Sequence, residues 1–473
     1  MPASSPSSDD ASPSLADPAR DVAAPPRRPA ARGALTRRAA LLPLLGLGAC
    51  SVLDTVFSDD SDKKVLPGRR EAVLGTAATE MAQADSGRLP EIILPPVTRN
   101  ADWAQAGGVA THVMGNLAGG FKPGWTAKIG VGASYRAKLT AQPVVLGGRV
   151  FAMDTDAVVS AFDLKTGERL WRRETRAKDT HSTNLAGGIA AEDGLLYVVT
   201  GRAEALALDA TDGHVRWRAT LAAPARSLPT LGGGRLYAGL IDGRLVALDL
   251  RGGRQLWSYQ AGESGMIVLG QPAPAYADGI VVAGFGSGDL AAVHADTGML
   301  VWTDNLGSAG GRSTATDLSS IRGAPVIDGG TVYAVGLGGL IVTIDLRSGR
   351  RIWERPIGGG QTPWIAGDWI YLVDNDQQLL AMTKAEGRVR WVADLPHYVN
   401  EKKHTGPLFW SGPALVNYRL VLTGDRGQVL YANPVSGVVT GGLDLAAAGA
   451  VPPVAAAGTL LILTDDGVLT ALR

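Results

Sequence analysis

One pattern recurs along this chain at near-constant spacing, and it constrains the fold more than any other feature. Ala161-Phe162-Asp163-Leu164-Lys165-Thr166-Gly167-Glu168-Arg169-Leu170-Trp171 returns as Ala207-Leu208-Asp209-Ala210-Thr211-Asp212-Gly213-His214-Val215-Arg216-Trp217. It returns again as Ala247-Leu248-Asp249-Leu250-Arg251-Gly252-Gly253-Arg254-Gln255-Leu256-Trp257. Looser copies end at Trp302, Trp353 and Trp391, the second of them carrying Asp345. Successive tryptophans are 46, 40, 45, 51 and 38 residues apart. A seventh copy, Tyr431 to Gly437, keeps the register but has Gly441 at the tryptophan position, and an eighth stops at Arg473, where its aspartate should stand. Self-similarity at such a period means one supersecondary unit stacked many times.

Each copy reads as strands. Arg149–Met153 and Arg235–Gly239 are short β-rich runs, each followed by a turn and an alternating run such as residues 243–249. An upstream strand of the type Gly323-Ala324-Pro325-Val326-Ile327 precedes them, and the tryptophan strand follows. Four strands in one period make a propeller blade. The strand around Trp125 lies 46 residues before Trp171, ahead of the first complete copy, and has no sheet of its own. In a closed ring it completes the last blade, which removes both open edges. The expected fold is therefore all-β: an eight-bladed β-propeller of four-stranded antiparallel blades over residues 101–473, closed by that N-terminal strand. Asp163, Asp209, Asp249 and Asp345 are placed to accept hydrogen bonds from the backbone of the following turn, and the glycine four residues on supplies a positive φ. Trp125, Trp171, Trp217, Trp257, Trp302, Trp353 and Trp391 are expected to wedge between adjacent blades.

Composition agrees with a large, turn-rich β protein. Of 473 residues, 62 are Gly and 27 Pro, while 45% are hydrophobic and 19% charged. That is too apolar for general disorder and too glycine-rich for a helical protein. Lys+Arg and Asp+Glu both number 45, so no electrostatic footprint for nucleic acid is present. The longest apolar run is too short to span a bilayer.

That run belongs to a leader. Residues 1–34 are rich in Pro, Ala, Ser, Asp and Arg; Thr36-Arg37-Arg38, an apolar stretch to Leu47, and Gly48-Ala49-Cys50 follow. A basic region, a short apolar region and a small-residue processing site make an export signal over residues 1–49. Leu47-Gly48-Ala49-Cys50 resembles a bacterial lipobox, in which the cysteine is acylated, and Ser51 resembles the sorting residue of outer-membrane lipoproteins. The alternative is an ordinary buried thiol. The arginine pair resembles a twin-arginine signal, although Ala40 stands where a bulky apolar residue is usual. Residues 50–100 are polar and broken by Pro67, Pro90, Pro95 and Pro96, as in a flexible tether, with helical composition over part of 71–83.

The repeat Ala-x-Asp-x-x-Thr-Gly-x-x-x-Trp resembles that of PQQ-type, quinoprotein-like propellers. With the lipobox, the tether, eight short blades and the lead-in from Asn100 to Gly108, the chain is similar to the BamB family of outer-membrane lipoproteins. The resemblance implies a non-catalytic scaffold without cofactor or metal, lipid-anchored on the periplasmic side of the outer membrane. It further implies docking on a BamA-type barrel protein and help in inserting β-barrel proteins, with unfolded outer-membrane proteins as a second partner through strand addition at blade edges. In that family two loops make the BamA contact. The matching stretches here contain Met266, Ile267, Val268 and Leu269 in the first, and Leu318, Ser319, Ser320, Ile321 and Arg322 in the second. Met266 and Val268 keep the apolar character of the family pattern, whereas Leu269 replaces an arginine and Ser320 and Arg322 replace acids. Residues 266–269 could instead begin an inner strand.

The alternative function is a PQQ-dependent periplasmic oxidoreductase. The resemblance to quinoprotein dehydrogenases would require a disulfide of adjacent cysteines, and Cys50 is the only cysteine. Asp374, Asn375 and Asp376 read as a hydrophilic turn in preference to a calcium shell. His397 and His404, with Lys402 and Lys403, read as a solvated segment. Trp364 and Trp369 read as packing between blades in preference to an exposed aromatic patch.

Overall fold

The computed structural model describes residues 82–473 apart from Arg136, 177–183, Leu185, 263–270 and 308–319. The leader, Cys50 and the region of expected helical composition up to residue 81 lie outside the described residues. The described residues contain strands and turns and no helix. They form eight four-stranded antiparallel sheets arranged as the blades of a propeller. Blade 1 consists of Val144–Leu146, Arg149–Met153, Val158–Asp163 and Arg169–Glu174. Blades 2 to 7 occupy residues 187–220, 230–260, 275–305, 326–355, 364–394 and 410–444. Blade 8 joins Val454–Ala456, Thr459–Leu463 and Val468–Leu472 to Pro123–Lys128, which pairs antiparallel with Val468–Leu472 so that Lys128 faces Val468. Backbone bonds between Lys122 and Arg473 extend that pairing in both directions, at 2.8 and 3.0 Å.

Burial follows strand position. The short first strands of neighbouring blades touch one another around the axis. Second and third strands are covered on both faces by the adjacent blades, so they read as continuous apolar runs; every residue of Ile280–Gly284 is buried. The outermost strands alternate, as Arg169–Glu174 does, because one face meets water. The hydrophobic core is accordingly a series of inter-blade layers. One combines Phe151 and Val159 of blade 1 with Leu196 and Leu206 of blade 2, and another Val282 and Ala292 of blade 4 with Val332 and Val342 of blade 5.

The repeat residues clamp these layers. Trp171, Trp217, Trp257 and Trp302 donate their indole N–H to the backbone oxygens of Ala210, Leu250, Ala295 and Leu346, at 2.8–3.1 Å, each on the next blade. Trp125, Trp353 and Trp391 do the same to Leu164, Lys384 and Pro434. Each ring lies over the repeat glycine of that next blade: a Cβ on Gly253 would stand 2.5 Å from the Trp217 ring. Within the turn, Asp163 Oδ1 accepts from the N–H groups of Lys165 and Thr166, both at 2.8 Å, and these bonds hold its pKa down. The glycine N–H also bonds the backbone oxygen four residues earlier, and this bond survives where His294, Thr383 or Asn433 replaces the aspartate. The looser copies therefore keep the turn. At the junction after blade 7, where Gly441 leaves no tryptophan, Phe121 meets Tyr431 edge-on at 4.9 Å between ring centroids.

One expectation needs correction. The tether over 50–100 ends early, because residues 85–100 lie on the propeller. Asp85 exchanges backbone and side-chain bonds with Val389, and Ile92 is buried in the layer between blades 6 and 7. Apolar Leu89 and Ile92 between prolines give this stretch enough buried area to be held. The segment around His397 and His404 is solvated, as expected, and it is built as a hairpin: Tyr398–Asn400 pairs with Thr405–Pro407, and Tyr398 stacks on His404. Trp369 is core, as the packing reading expected, and Asp374 caps a turn by accepting the Gln378 N–H at 2.8 Å.

Candidate functional site

The connections between blades converge on one end of the ring. Each leaves an outermost strand and must return to the axis to begin the next blade, so its last residues face the centre. The stretch containing Met266, Ile267, Val268 and Leu269 is such a connection, between blades 3 and 4, and lies outside the described residues, as do Leu318 and Ser319. The connection between blades 4 and 5 ends in Ser320, Ile321 and Arg322. Ser320 and Ile321 are buried, and Ile321 packs against Gly284 in the layer between those blades, with its N–H on Phe285 O at 3.1 Å. Their side chains pack within the ring and not on its surface. Arg322 is exposed.

The other end of the ring is closed by a segment whose role the repeat pattern does not announce. Residues 100–117 pass once around the axis and bond to the blades in order. Asn100 O accepts from Ala457 of blade 8, and Trp103 exchanges both backbone bonds with Val145 of blade 1. Ala104 O accepts from Ala191 of blade 2, and Gln105 Oε1 from the Leu231 N–H of blade 3 at 2.6 Å. Ala110 O and Thr111 O accept from Tyr276 of blade 4 and Ile327 of blade 5. Gly115 O receives the Trp364 indole of blade 6, and Leu117 bonds Leu415 of blade 7. The segment satisfies first-strand groups that would otherwise face an open channel. The signal that could have located it is a stretch of small and apolar residues, out of register with the repeat, sitting between the tether and the first tryptophan strand.

Trp103, Ala106, Gly107 and His112 of this plug form the floor of an axial funnel of about 620 Å³. Arg226, Gln271, Arg322 and Gln361, from the connections entering blades 3 to 6, line its wall, with Lys138, Asp425, Arg426 and Asp465. Four bases thus face two acids. Desolvation by the surrounding protein lowers the pKa of Arg226 and of Arg322, the latter although its side chain still reaches solvent, and raises that of Asp465 against the pull of Lys138. His112 has its Nδ1 2.7 Å from Pro325 O, and burial lowers its pKa to about 4, so the ring is neutral at ordinary pH with Nδ1–H as the donor. Among the described residues no cluster of His, Cys, Asp and Glu has the arrangement of a metal site.

Comparison with known proteins places this architecture. The sequence profile of the outer membrane protein assembly factor BamB matches residues 122–184 and 155–393. The outer membrane protein assembly factor BamB of Yersinia pestis is 30% identical over 355 residues, which cover 73% of this chain and 87% of that one. Among solved structures, BamB from Moraxella catarrhalis superposes with a TM-score of 0.61 at 20% identity, over 72% of this chain and 99% of its own. The quinohemoprotein alcohol dehydrogenase from Comamonas testosteroni superposes with a TM-score of 0.59 at 13% identity, over 79% of this chain and 80% of its own. At that identity the likeness is one of fold alone. The sequence relatives are named as assembly factors and not as enzymes, in agreement with a non-catalytic, outer-membrane-associated protein. By profile and by sequence identity together, the chain belongs to the outer membrane protein assembly factor BamB family.

Proposed function

We propose that this protein is anchored by lipid at Cys50 to the periplasmic face of the outer membrane and docks on a BamA-type barrel protein, assisting insertion of β-barrel proteins. The observation that supports the docking face is the position of the two connections: they enter blades 4 and 5, which are neighbours, at the funnel end, and the second ends in exposed Arg322. Met266 and Val268 supply apolar contact and Arg322 a charge, so the partner surface is expected to carry a complementary acid. Strand addition of unfolded substrates at blade edges is less favoured. The outermost strands carry charges such as Arg172 and Glu174, or Arg351 and Glu354, which oppose pairing with a further strand. The oxidoreductase reading has only a likeness of fold behind it.

A photo-reactive amino acid placed at position 322 tests the face in living cells, with position 254, exposed in the turn before the last strand of blade 3, as the control. Capture of a barrel protein from 322 and not from 254 is the expected result. No capture from 322, or equal capture from both, contradicts the docking face.

A further inference from the structure

The connection between blades 6 and 7 is built unlike the others. Tyr398–Asn400 and Thr405–Pro407 pair as a hairpin, and among the described residues no other connection forms a sheet of its own. A hairpin alone is marginally stable in water, and this one is held at its base. Leu395, Leu408 and Trp410 are buried in the layer between the two blades, the Leu408 N–H bonds His397 O at 2.8 Å, and the Trp410 indole donates to Pro396 O at 2.9 Å. Glu401 Oε1 accepts from the N–H groups of His397 and Tyr398, at 2.8 and 3.0 Å, so the hairpin's one acid is engaged within it.

What remains outside is cationic and apolar. Lys402 and Lys403 are exposed at the tip, and neither forms an ion pair among the described residues. Val399 is 60% exposed and Phe409, just beyond the second strand, 57%. Unpaired lysines beside exposed apolar side chains suit the headgroup region of an anionic bilayer, where ammonium groups reach phosphates and apolar groups sink to the acyl boundary. A protein partner is a poorer match, because the cores of protein interfaces are depleted of lysine.

The position of the hairpin points the same way. Ala82, where the described chain begins, shares a narrow cleft with Ile357, Asp374 and Asp376. Gln377, the next residue of that turn, accepts the Trp410 N–H through Oε1 at 2.9 Å. The chain coming from Cys50 therefore joins the ring beside the turn that also holds the base of the hairpin.

We propose that the hairpin of residues 398–407 is a second membrane contact, in which Lys402 and Lys403 bind the phosphates of anionic phospholipids while Val399 and Phe409 enter the acyl boundary. The proposal rests on the anchor at Cys50 and goes beyond it: a second contact fixes which side of the ring faces the bilayer, as a flexible tether alone does not. It uses the connection entering blade 7, whereas the docking reading uses those entering blades 4 and 5.

The test uses the full-length protein purified from membranes and reconstituted into phosphatidylcholine vesicles with or without phosphatidylglycerol. A polarity-sensitive dye is attached through Thr405→Cys or, as the control, through Arg254→Cys, both positions being exposed. The dye at 405 is expected to shift to the blue in the anionic vesicles only, and the dye at 254 in neither. High salt should remove most of the shift. Lys402→Glu with Lys403→Glu should weaken the contact by about ten- to thirtyfold in phosphatidylglycerol titrations, without lowering Tm. No shift at 405, an equal shift at 254, an equal shift without phosphatidylglycerol, or a shift undiminished by the charge reversal overturns the proposal. Treating the unaltered protein with the same dye reads the anchor separately. It should take none, because its single cysteine is acylated. Labelling of it sinks the anchor reading; sedimentation with anionic vesicles that the charge reversal abolishes then supports the hairpin contact, and its absence overturns it.

Discussion

An indole standing over a glycine of the next blade is the contact on which the ring is built, and its cost of disruption can be separated from that of the turn. Gly253 has φ +70° and would push a Cβ to 2.5 Å from the Trp217 ring, whereas Gly252 beside it has open space. Gly253→Ala is expected to destabilise by about 2 kcal/mol or more, since both backbone and packing oppose it. Gly252→Ala should change stability by less than about 1 kcal/mol. Denaturant midpoints of the two variants check this, and equal midpoints contradict it. A second residue-scale prediction concerns Asp374, which is 5% exposed, and whose pKa burial pushes up to about 6 against the favourable Gln378 N–H bond. The folded pKa lies above the ordinary 3.8, so the neutral form is favoured on folding. Stability from this group is full below about pH 4 and is lost as pH rises through about 6. Asp374→Asn keeps an acceptor and removes the charge. It should raise Tm at pH 8, by up to about 2–3 kcal/mol of stability, and leave it nearly unchanged at pH 4. The spacing of Gly and Trp was legible in the sequence, because six of the repeats state it in full. That Trp217 covers Gly253 of the following blade was not, because the contact joins two copies whose relation only the closed ring defines.

Strands were the most legible elements and the plug the least. Runs such as Arg149–Met153 and Arg235–Gly239 announce themselves by apolar and aromatic content after glycine turns, and each lies in its blade's second position. The plug has no periodicity to read: it reaches seven of the blades through its own backbone groups, which any residue carries, and blade 3 through the single amide of Gln105. Residues 85–100 were read as tether for a related reason, since prolines mask the two apolar side chains that hold the stretch down. If the plug is an integral part of the ring, the Trp103 and Leu117 amides, bonded to Val145 and Leu415, should exchange hydrogen as slowly as amides in the middle strands of blades 1 and 7. Exchange within seconds, with the blades still protected, would show instead a detachable strap. Gln105→Ala should cost about 1–3 kcal/mol, because it leaves the buried Leu231 N–H without its acceptor.

Residues 100–473 form a ring with a plugged end and an open funnel end. The plug and the closed edges leave the funnel end open, where the described ends of the inter-blade connections line a basic cavity. Its propeller is shared with dehydrogenases, so architecture alone does not choose between scaffold and enzyme; relatedness to assembly factors over most of the chain does. The expected docking stretches rest on resemblance alone. Ile321 looked like a surface anchor because an apolar residue beside the first strand of a blade has the same pattern whether it points to a partner or into the adjacent layer; it points into the layer. The central claim is that this face holds a barrel protein, and co-purification from cross-linked native envelopes tests it most directly. The account predicts that a BamA-type barrel is recovered with the unaltered protein and lost when Met266 and Val268 are both changed to Asp, with the propeller still folded. Recovery undiminished by those changes, or no barrel protein from a well-cross-linked sample, would contradict it.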